Sequence, residues 1–226
     1  MLFKFPLHIE TFETLASTQD EVRSRLAQGA DVHGLVIRAL EQTSGRGQRS
    51  RDWISNKGGS YQTLAIQTKN NNSFAAIVIA IGLAEVLHKQ NIQAGIKWPN
   101  DIYYRDKKLA GILCEYTQEH LLIGVGMNVH NQVPDYAIGL QTLKLEEVNN
   151  FVLTGLQKGL ELLSSKPDLP TLFEPYDLLE NKQISVKVGN EIKNGVARGI
   201  DKNGCLRLEQ TQEIISVRSG HIDFLD

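Results

Sequence analysis

Hydrophobic positions recur with helical spacing in four parts of the chain. A capping-box spacing followed by apolar residues four apart predicts a short helix over residues 18–28. The almost unbroken apolar segment 74–90 predicts a buried helix. Valines and leucines at helical spacing predict a third helix over 145–164, and a last helical stretch is predicted over 171–181. Segments with the character of strands lie between these helices.

The strand-like segments are apolar runs rich in β-forming residues. They are LVIRALEQ (35–42), SYQTLAIQT (60–68), IKWPNDIYY (96–104), KKLAGILCEY (107–116) and HLLIGVGMNVH (120–130). The last three runs are separated by connections that are too short for a parallel crossover, which takes a dozen or more residues. These runs are therefore predicted to pair as antiparallel neighbours.

The pattern changes from residue 184, where short alternating runs are separated by Gly-Asn, Asn-Gly and Lys-Asn-Gly turns. Such turns between short strands are typical of a small antiparallel β-barrel. The sequence thus predicts an α+β fold in two domains. Residues 1–181 would form a mixed, largely antiparallel sheet packed with helices, and residues 182–226 would form the barrel.

Composition and charge exclude several classes of protein. The formal net charge of the 226 residues is −2, so binding to nucleic acid or to an anionic membrane is not expected. The most apolar segment, 74–88, is shorter than the ~20 residues that a bilayer requires, and the N-terminus lacks the apolar core of a signal peptide. Cys114 and Cys205 are far apart, without a CxxC pair or a histidine cluster. We expect a cytoplasmic protein with free thiols and no metal site formed by the protein alone.

A loop rich in glycine and arginine joins the predicted strands 35–42 and 60–68. Its sequence is EQTSGRGQRSRDWISNKGGSY (41–61). Its glycines are Gly45, Gly47, Gly58 and Gly59, and its cations are Arg46, Arg49, Arg51 and Lys57. Glycine permits close backbone approach and arginine binds anions, so the loop suits a cover over phosphate or carboxylate. A solvated hairpin tip explains the same composition. The loop matches neither the GxxxxGK[ST] motif nor the dinucleotide fingerprint. Charge alone does not decide between the two readings.

Two further features lie downstream. In KWPNDIYYRDKKLAGIL, Lys97 is expected to open a strand, and Asn100 and Asp101 are a turn-forming pair beside it. Lys108 is expected on the strand that pairs with this one. The small Ala-Gly step beside Lys108 leaves room for a ligand against the backbone, although surface lysines explain the same residues. GVGMNVH, which ends with Asn128, is weak evidence by itself because glycine in a strand can mark close packing.

In this order, with ST upstream and GVGMNV downstream, the motifs GRGQRSRDWIS, KWPNDI and KKLAGIL resemble those of the biotin protein ligases. The tail ARGIDKNGCLRLE is similar to the small C-terminal barrel of that family, so the resemblance covers nearly the whole chain. It implies a catalytic domain like that of class II aminoacyl-tRNA synthetases.

The resemblance also implies a two-step reaction with biotin, ATP and Mg²⁺. The biotin carboxylate attacks the α-phosphorus of ATP and releases pyrophosphate, and a lysine of a biotin carboxyl carrier protein then attacks the biotinyl-5'-adenylate. Members that also act as repressors carry an N-terminal winged-helix domain. This chain starts at the catalytic region, so the short form without DNA binding is expected. Members of this shape occur as monomers and dimers, which leaves a homodimer open.

The resemblance assigns a role to each matching position. Ser17, Thr18 and Gln42 are expected to hydrogen-bond the ureido ring of biotin, although Ser17 and Thr18 also suit a helix cap. The biotin carboxylate and the α-phosphate would be covered by Gly45, Arg46, Gly47 and Gln48, and Lys108 would bridge the same oxygens. Gly111 would leave space beside the biotin rings.

The nucleotide is assigned to the remaining positions. Trp53 would pack against adenine, and Asn128 would hydrogen-bond the edge of that base. Lys97 and Asn100 would lie toward the polyphosphate and Mg²⁺.

Two positions raise separate questions. Asp101 is the nearest candidate to orient or deprotonate the carrier lysine, although confinement of both reactants could suffice. The family commonly reads GRGRxGR at the loop, whereas Gln48 and Ser50 stand here in place of an arginine and a glycine. Gln48 cannot supply the charge of an arginine, and Ser50 is less permissive for positive φ. Our hypothesis is that this chain retains its adenylate less tightly.

Two other functions remain as alternatives. A lipoate or octanoate ligase or transferase would share the fold and also act on a carrier lysine, but the KWPND and GRG motifs argue against it. Some such transferases use a cysteine nucleophile, and Cys114 suits a core position in a strand better. A non-catalytic biotin-binding protein would not require the nucleotide contacts assigned to Arg46, Lys108 and Asn128.

Overall fold

The computed structural model describes residues 5–165, 168–211 and 213–224. The strands of the larger sheet are β1 His8–Leu15, β2 Leu35–Gln42, β3 Ser60–Gln67, β4 Gly95–Lys97, β5 Asp101–Tyr104, β6 Lys107–Thr117 and β7 His120–Met127. The helices are α1 Thr18–Ala27, α2 Ala75–Lys89, α3 Leu145–Ser164 and α4 Leu169–Phe173. The C-terminal strands are β8 Gln183–Val188, β9 Glu191–Ile200, β10 Leu206–Glu209, β11 Ile214–Val217 and β12 His221–Phe224.

The predicted mixed, largely antiparallel sheet is confirmed. Its seven strands have the order β1-β2-β3-β7-β6-β5-β4, with β1 and β2 parallel and the other neighbours antiparallel. Strand β1 was not predicted; it is an edge strand whose residues are exposed or half-buried. A strand that packs little apolar surface shows a weak alternation of polar and apolar positions, which explains the omission.

Helices cover both faces of this sheet. On one face, α1 packs Val22 and Leu26 into a small apolar cluster with the sheet. On the other face, α2 and α3 share the main core. These two helices touch backbone to backbone, because a Cβ on Gly82 would stand 2.4 Å from Gly155 O and 2.6 Å from Gly159 N. The functional side chains described below lie on the α1 face, so the α2–α3 layer supports the sheet from behind.

The predicted antiparallel C-terminal unit is also confirmed as a five-stranded sheet of order β11-β10-β9-β8-β12. The strand pairing described leaves β11 and β12 as its two edges. This sheet and the larger one share a continuous core, and Trp98 Nε1 donates to Gly204 O at 2.9 Å across the junction. The domain boundary near residue 182 stays a prediction.

Two predicted elements were wrong in detail. The run IKWPNDIYY is not one strand, because β4 and β5 pair with each other around a turn that contains the cis Trp98–Pro99 peptide. Lys97 therefore ends a strand instead of opening one. The last helix spans Leu169–Phe173, followed by a 3-10 turn at Glu174–Tyr176, and does not extend over 171–181. Asp177 instead forms a parallel bridge with Ile96, so pairing with β4 prevails over local helical preference.

No helix within the described residues has both the length and the apolar character needed to cross a membrane.

Candidate active site

A cavity of about 520 Å³ opens on the α1 face of the larger sheet. Its walls come from the start of α1, the hairpin after β2, strands β5 to β7, the segment 132–137 and the start of β12. Every residue predicted for the site lines this cavity except Gly45. Gly45 lies buried behind the wall, where a Cβ would stand 2.4 Å from both Ser55 Oγ and Trp53 O. Residues from separate motifs therefore meet in one place.

The floor of the cavity is a strip of glycines on neighbouring strands. Gly111 of β6 pairs with Gly126 of β7, and Gly124 follows on the same face. Trp53 lies flat on this strip, because a Cβ on Gly126 would stand 2.4 Å from its Nε1 and one on Gly111 3.0 Å from its ring. The Nε1 group is buried and has no hydrogen-bond partner among the residues that the structure describes. The floor thus offers the surface of an indole ring to a ligand.

One end of the cavity is polar. Gln42 Oε1 accepts from Thr18 N at 2.8 Å and from Thr18 Oγ1 at 3.1 Å, and Gln42 Nε2 donates to Ser55 Oγ at 2.7 Å. Thr63 Oγ1 lies 2.9 Å from Thr18 Oγ1 and donates to Gln19 Oε1 at 3.1 Å. These groups are buried or half-buried, so a ligand with both donors and acceptors would find fixed partners there.

Ser17 acts as the N-cap of α1, because its side chain accepts from Asp20 N. The helix-cap reading of Ser17 is therefore confirmed, and the residue also lines the cavity.

The loop 45–53 is a tight hairpin. Gly47 N donates to Arg51 O at 2.7 Å, Trp53 N donates to Gly45 O at 2.8 Å, and Arg49 occupies the left-handed region at the tip (φ 57°). Arg46 projects from this hairpin to the carboxylates of Asp20 and Glu115, the second at 3.3 Å. Hydrogen bonding to Asp20 is the main cause that raises the Arg46 pKa above its usual value. The guanidinium is thus a permanent cation at the cavity wall.

Lys108 reaches the cavity because of a β-bulge. Tyr103 of β5 pairs with Lys108, where an unbroken ladder would place Leu109. Successive side chains alternate between the faces of a strand, so without the bulge the Lys108 side chain would point to the opposite face. Its Nζ lies 2.7 Å from Asp101 Oδ2 and 5.2 Å from the centre of the Trp53 ring. One irregularity in the ladder therefore sets the position of this ammonium group.

Lys97 is held between two aromatic rings. Its Nζ lies 5.6 Å from the centre of the Tyr103 ring and 4.9 Å from that of Phe224 in β12. Burial lowers the Lys97 pKa, and the nearby carboxylates of Asp101 and Asp223 oppose this effect. Because the ammonium group is desolvated and has no carboxylate within 4 Å among the described residues, this lysine is receptive to an incoming anion.

The two asparagines carry structural hydrogen bonds. Asn100 Nδ2 donates to Ile112 O at 2.9 Å, which leaves its side-chain oxygen available to a ligand. Asn128 Nδ2 lies 3.4 Å from Lys108 O, and its Oδ1 accepts from Asn131 at 3.1 Å. Both side chains are thereby fixed at the cavity wall.

Sequence reasoning missed several contributors. Asp20 and Glu115 hold Arg46, and no motif marked them. Tyr136 O accepts from Lys108 N at 3.0 Å, which ties segment 132–137 to the edge of β6. Gly220 and the first three residues of β12, 221–223, add to the wall. Such contacts depend on pairing between distant parts of the chain, so no local signal was present.

Comparison with known proteins identifies the family of this chain. The profile of the Biotin/lipoate A/B protein ligase family matches residues 11–128, and that of the Biotin protein ligase C terminal domain matches residues 181–225. The chain belongs to the biotin/lipoate A/B protein ligase family. The first match contains the hairpin, the glycine floor and Lys108, and the second contains β12.

Curated relatives include members of this ligase family. The Biotin--[acetyl-CoA-carboxylase] ligase of Mycobacterium tuberculosis is 28% identical, over 91% of this chain and 85% of its own length. The Bifunctional ligase/repressor BirA of Escherichia coli is 33% identical over 75% of this chain, which spans 60% of that relative. The Biotin protein ligase from Aquifex aeolicus in complex with biotin and ATP has a TM-score of 0.83 at 24% identity and covers 97% of this chain and 98% of its own. The last comparison confirms the fold.

Proposed function

We propose that this protein is an ATP-dependent biotin protein ligase, which forms biotinyl-5'-adenylate and transfers biotin to a lysine of a biotin carboxyl carrier protein. The observation that carries the proposal is the shared cavity. It combines a polar end, a glycine floor under an indole ring, and two preorganised cations. The named ligases among the relatives support the same reaction.

Binding of biotin follows the polarity of the cavity. The ureido ring has donors and acceptors, which suit Thr18, Gln42 and their partners at the polar end. The apolar rings would lie against Trp53, whose indole covers Gly111 and Gly126. The position of Trp53 on this floor favours contact with the biotin rings, while its assignment to adenine stays a prediction.

The first chemical step brings a carboxylate and a phosphate together. A carboxylate oxygen attacks the α-phosphorus, and pyrophosphate leaves with the bonding electrons. Arg46 and Lys108 would oppose the negative charge at the reacting atoms, and removal of one such donor typically costs ~10² to 10³ in rate. Adenine would lie near Asn128, and Lys97 and the Asn100 oxygen would face the polyphosphate. Mg²⁺ would accompany the nucleotide and neutralise phosphate charge, with the Asn100 oxygen as a protein ligand.

The second step transfers the acyl group to the carrier. The neutral amine attacks the acyl carbonyl, AMP leaves, and the amine loses a proton. A free lysine has a pKa of ~10.4, so a group that orients or deprotonates the amine assists the step. Asp101 lies beside Lys108 at the cavity wall and is the residue that we assign to this role.

The test is incubation with labelled biotin, ATP, Mg²⁺ and a carboxylase carrier domain, followed by mass spectrometry of the carrier. Pyrophosphate release with biotin, and its absence with lipoate, would separate this function from that of a lipoate ligase. Lys108→Ala should abolish adenylate formation. Lys107→Ala is a matched control, because Lys107 is the adjacent, exposed lysine of the same strand. Full activity of Lys108→Ala would overturn the assignment.

The proposal also covers the localisation, the partners and the oligomeric state of the protein. We place the protein in the cytoplasm, where its two free cysteines fit a reducing environment. Nucleic acid is not among the proposed partners, because the net charge is −2. A boundary near residue 182 and a homodimer are compatible with the family, and size-exclusion chromatography with light scattering would decide the oligomeric state.

A further inference from the structure

Arg46 is neutralised by carboxylates from two different elements. Asp20 comes from the first turn of α1, and Glu115 comes from β6. Both carboxylates lie at the cation that the proposed function assigns to a ligand anion. Asp20 and Glu115 each hold one of the two terminal NH₂ groups of Arg46. A ligand carboxylate that pairs with both NH₂ groups therefore competes with these partners for the guanidinium.

The two carboxylates differ in how firmly they are held. Glu115 is 24% exposed and has three donors: Arg23 at 2.6 Å, Gln19 at 2.9 Å and Arg46 at 3.3 Å. The Asp20 side chain is 43% exposed and contacts Arg46 closely and Arg23 at 3.8 Å. Glu115 is therefore anchored independently of Arg46, whereas Asp20 depends on Arg46 for its close contact.

We propose that Asp20 is an internal counter-anion that occupies Arg46 in the free protein and is displaced by the ligand carboxylate, while Glu115 is a positioning residue that keeps Arg46 directed at the cavity. This inference rests on the proposed function, with biotin as the ligand. Arg23 lies one helical turn from Asp20 and already stands 3.8 Å away, so it receives the released carboxylate. The exchange replaces one carboxylate by another and involves no covalent step.

The two carboxylates should respond differently to loss of charge. Asp20→Asn removes the competitor, and because partly exposed ion pairs contribute little, biotin affinity should rise by about 2- to 5-fold. Glu115→Gln has the opposite effect. Its single carbonyl oxygen stays with Arg23 and Gln19, which places an amide NH₂ group against the Arg46 guanidinium. Two donors then face each other, Arg46 leaves its position, and biotin affinity falls.

The experiment is isothermal titration of the full chain with biotin and, in parallel, with biotin methyl ester, which lacks the carboxylate. Asp20→Asn and Asp20→Ser are compared with the wild type. Glu21→Gln serves as the matched control, because Glu21 lies on the same helix and pairs with Arg25 away from the cavity. Unfolding midpoints establish that each variant is folded.

The expected result is tighter binding of biotin by the Asp20 variants, no gain with the methyl ester, and weaker binding of biotin by Glu115→Gln. Unchanged biotin affinity in both Asp20 variants, or an equal gain for the ester, would overturn the role of Asp20. Affinity in Glu115→Gln at or above that of the wild type would overturn the positioning role. Absence of biotin binding by the wild type would instead contradict the proposed function, so the two failures are distinguishable.

Discussion

Replacement of Asp177 by asparagine should change how the stability of the protein depends on pH. Asp177 follows the 3-10 turn and bridges to Ile96 of the larger sheet, just before the C-terminal strands begin. Its Oδ1 accepts from Leu179 N at 2.8 Å, but its Oδ2 is buried and has no hydrogen-bond partner within the described part of the chain. Burial raises the pKa of this carboxyl group from 3.8 to about 6. The ionised form is therefore unfavourable in the folded protein.

The sign and size of the effect follow from linkage. Between its unfolded and folded pKa values, Asp177 binds more proton in the folded state, so a rise in pH removes stability. The contribution is complete below pH 4 and is lost as the pH passes 6. One pKa unit corresponds to about 1.4 kcal/mol, so the loss is at most about 3 kcal/mol. Asparagine cannot ionise, and Asp177→Asn should lack this loss.

Urea unfolding of the wild type and Asp177→Asn between pH 4 and 8 measures the effect. The difference in unfolding free energy should shift in favour of the variant by up to about 3 kcal/mol as the pH rises through 6. The new amide also lowers stability by about 1 to 3 kcal/mol at every pH, because its buried NH₂ group lacks a hydrogen-bond acceptor. Only the pH-dependent part is diagnostic. Asp106→Asn, in an exposed turn, is the control, and a pH-independent difference for Asp177→Asn would refute the reasoning.

Three further substitutions probe the cavity. Gly126→Ala should displace Trp53, whose Nε1 would lie 2.4 Å from the new Cβ, and reduce kcat/KM for biotin by roughly 10- to 100-fold with a shift in tryptophan fluorescence. Phe224→Leu removes a ring from Lys97 and should raise KM for ATP about 2- to 5-fold, with KM for biotin unchanged in steady-state assays. Gln48→Arg should slow the release of adenylate in a pulse-chase measurement, and equal off-rates would remove the hypothesis about this loop.

Much of the fold could be predicted because an element that packs one face on the core shows apolar residues at regular spacing in the sequence. α3 begins and ends at the predicted residues, and β2 matches its prediction, since each packs an apolar face onto the core. β1 lacks this apolar periodicity because it lies at the exposed edge of the sheet. Asn100 and Asp101 indicated a turn, but the division of the run 96–104 into two strands was missed. Three buried residues, Ile96, Trp98 and Ile102, make the run continuously apolar across β4, the turn and β5.

The candidate site, like the fold, could be predicted only in part. Lys108 and Gly111 could be assigned through the family resemblance, while the residues by themselves left a surface lysine and a closely packed glycine as alternatives. The direction of the Lys108 side chain could not, because it depends on a bulge opposite Tyr103. Asp20 and Glu115 were missed for a related reason. Each is an ordinary surface-type residue in its own element, and only the packing of α1 beside β6 brings both to Arg46.

The balance of charge inside the cavity indicates how it discriminates between its two anionic ligands. Arg46 and Lys108 each have a carboxylate partner within 4 Å. Lys97 has none among the described residues, and its charged form is disfavoured by burial. A phosphate beside Lys97 would restore a counter-charge to a desolvated cation, whereas a ligand anion at Arg46 competes with carboxylates that are already present. The end that contains Lys97 is thus better suited to a polyphosphate, and the end that contains Arg46 is better suited to a carboxylate that exchanges for another.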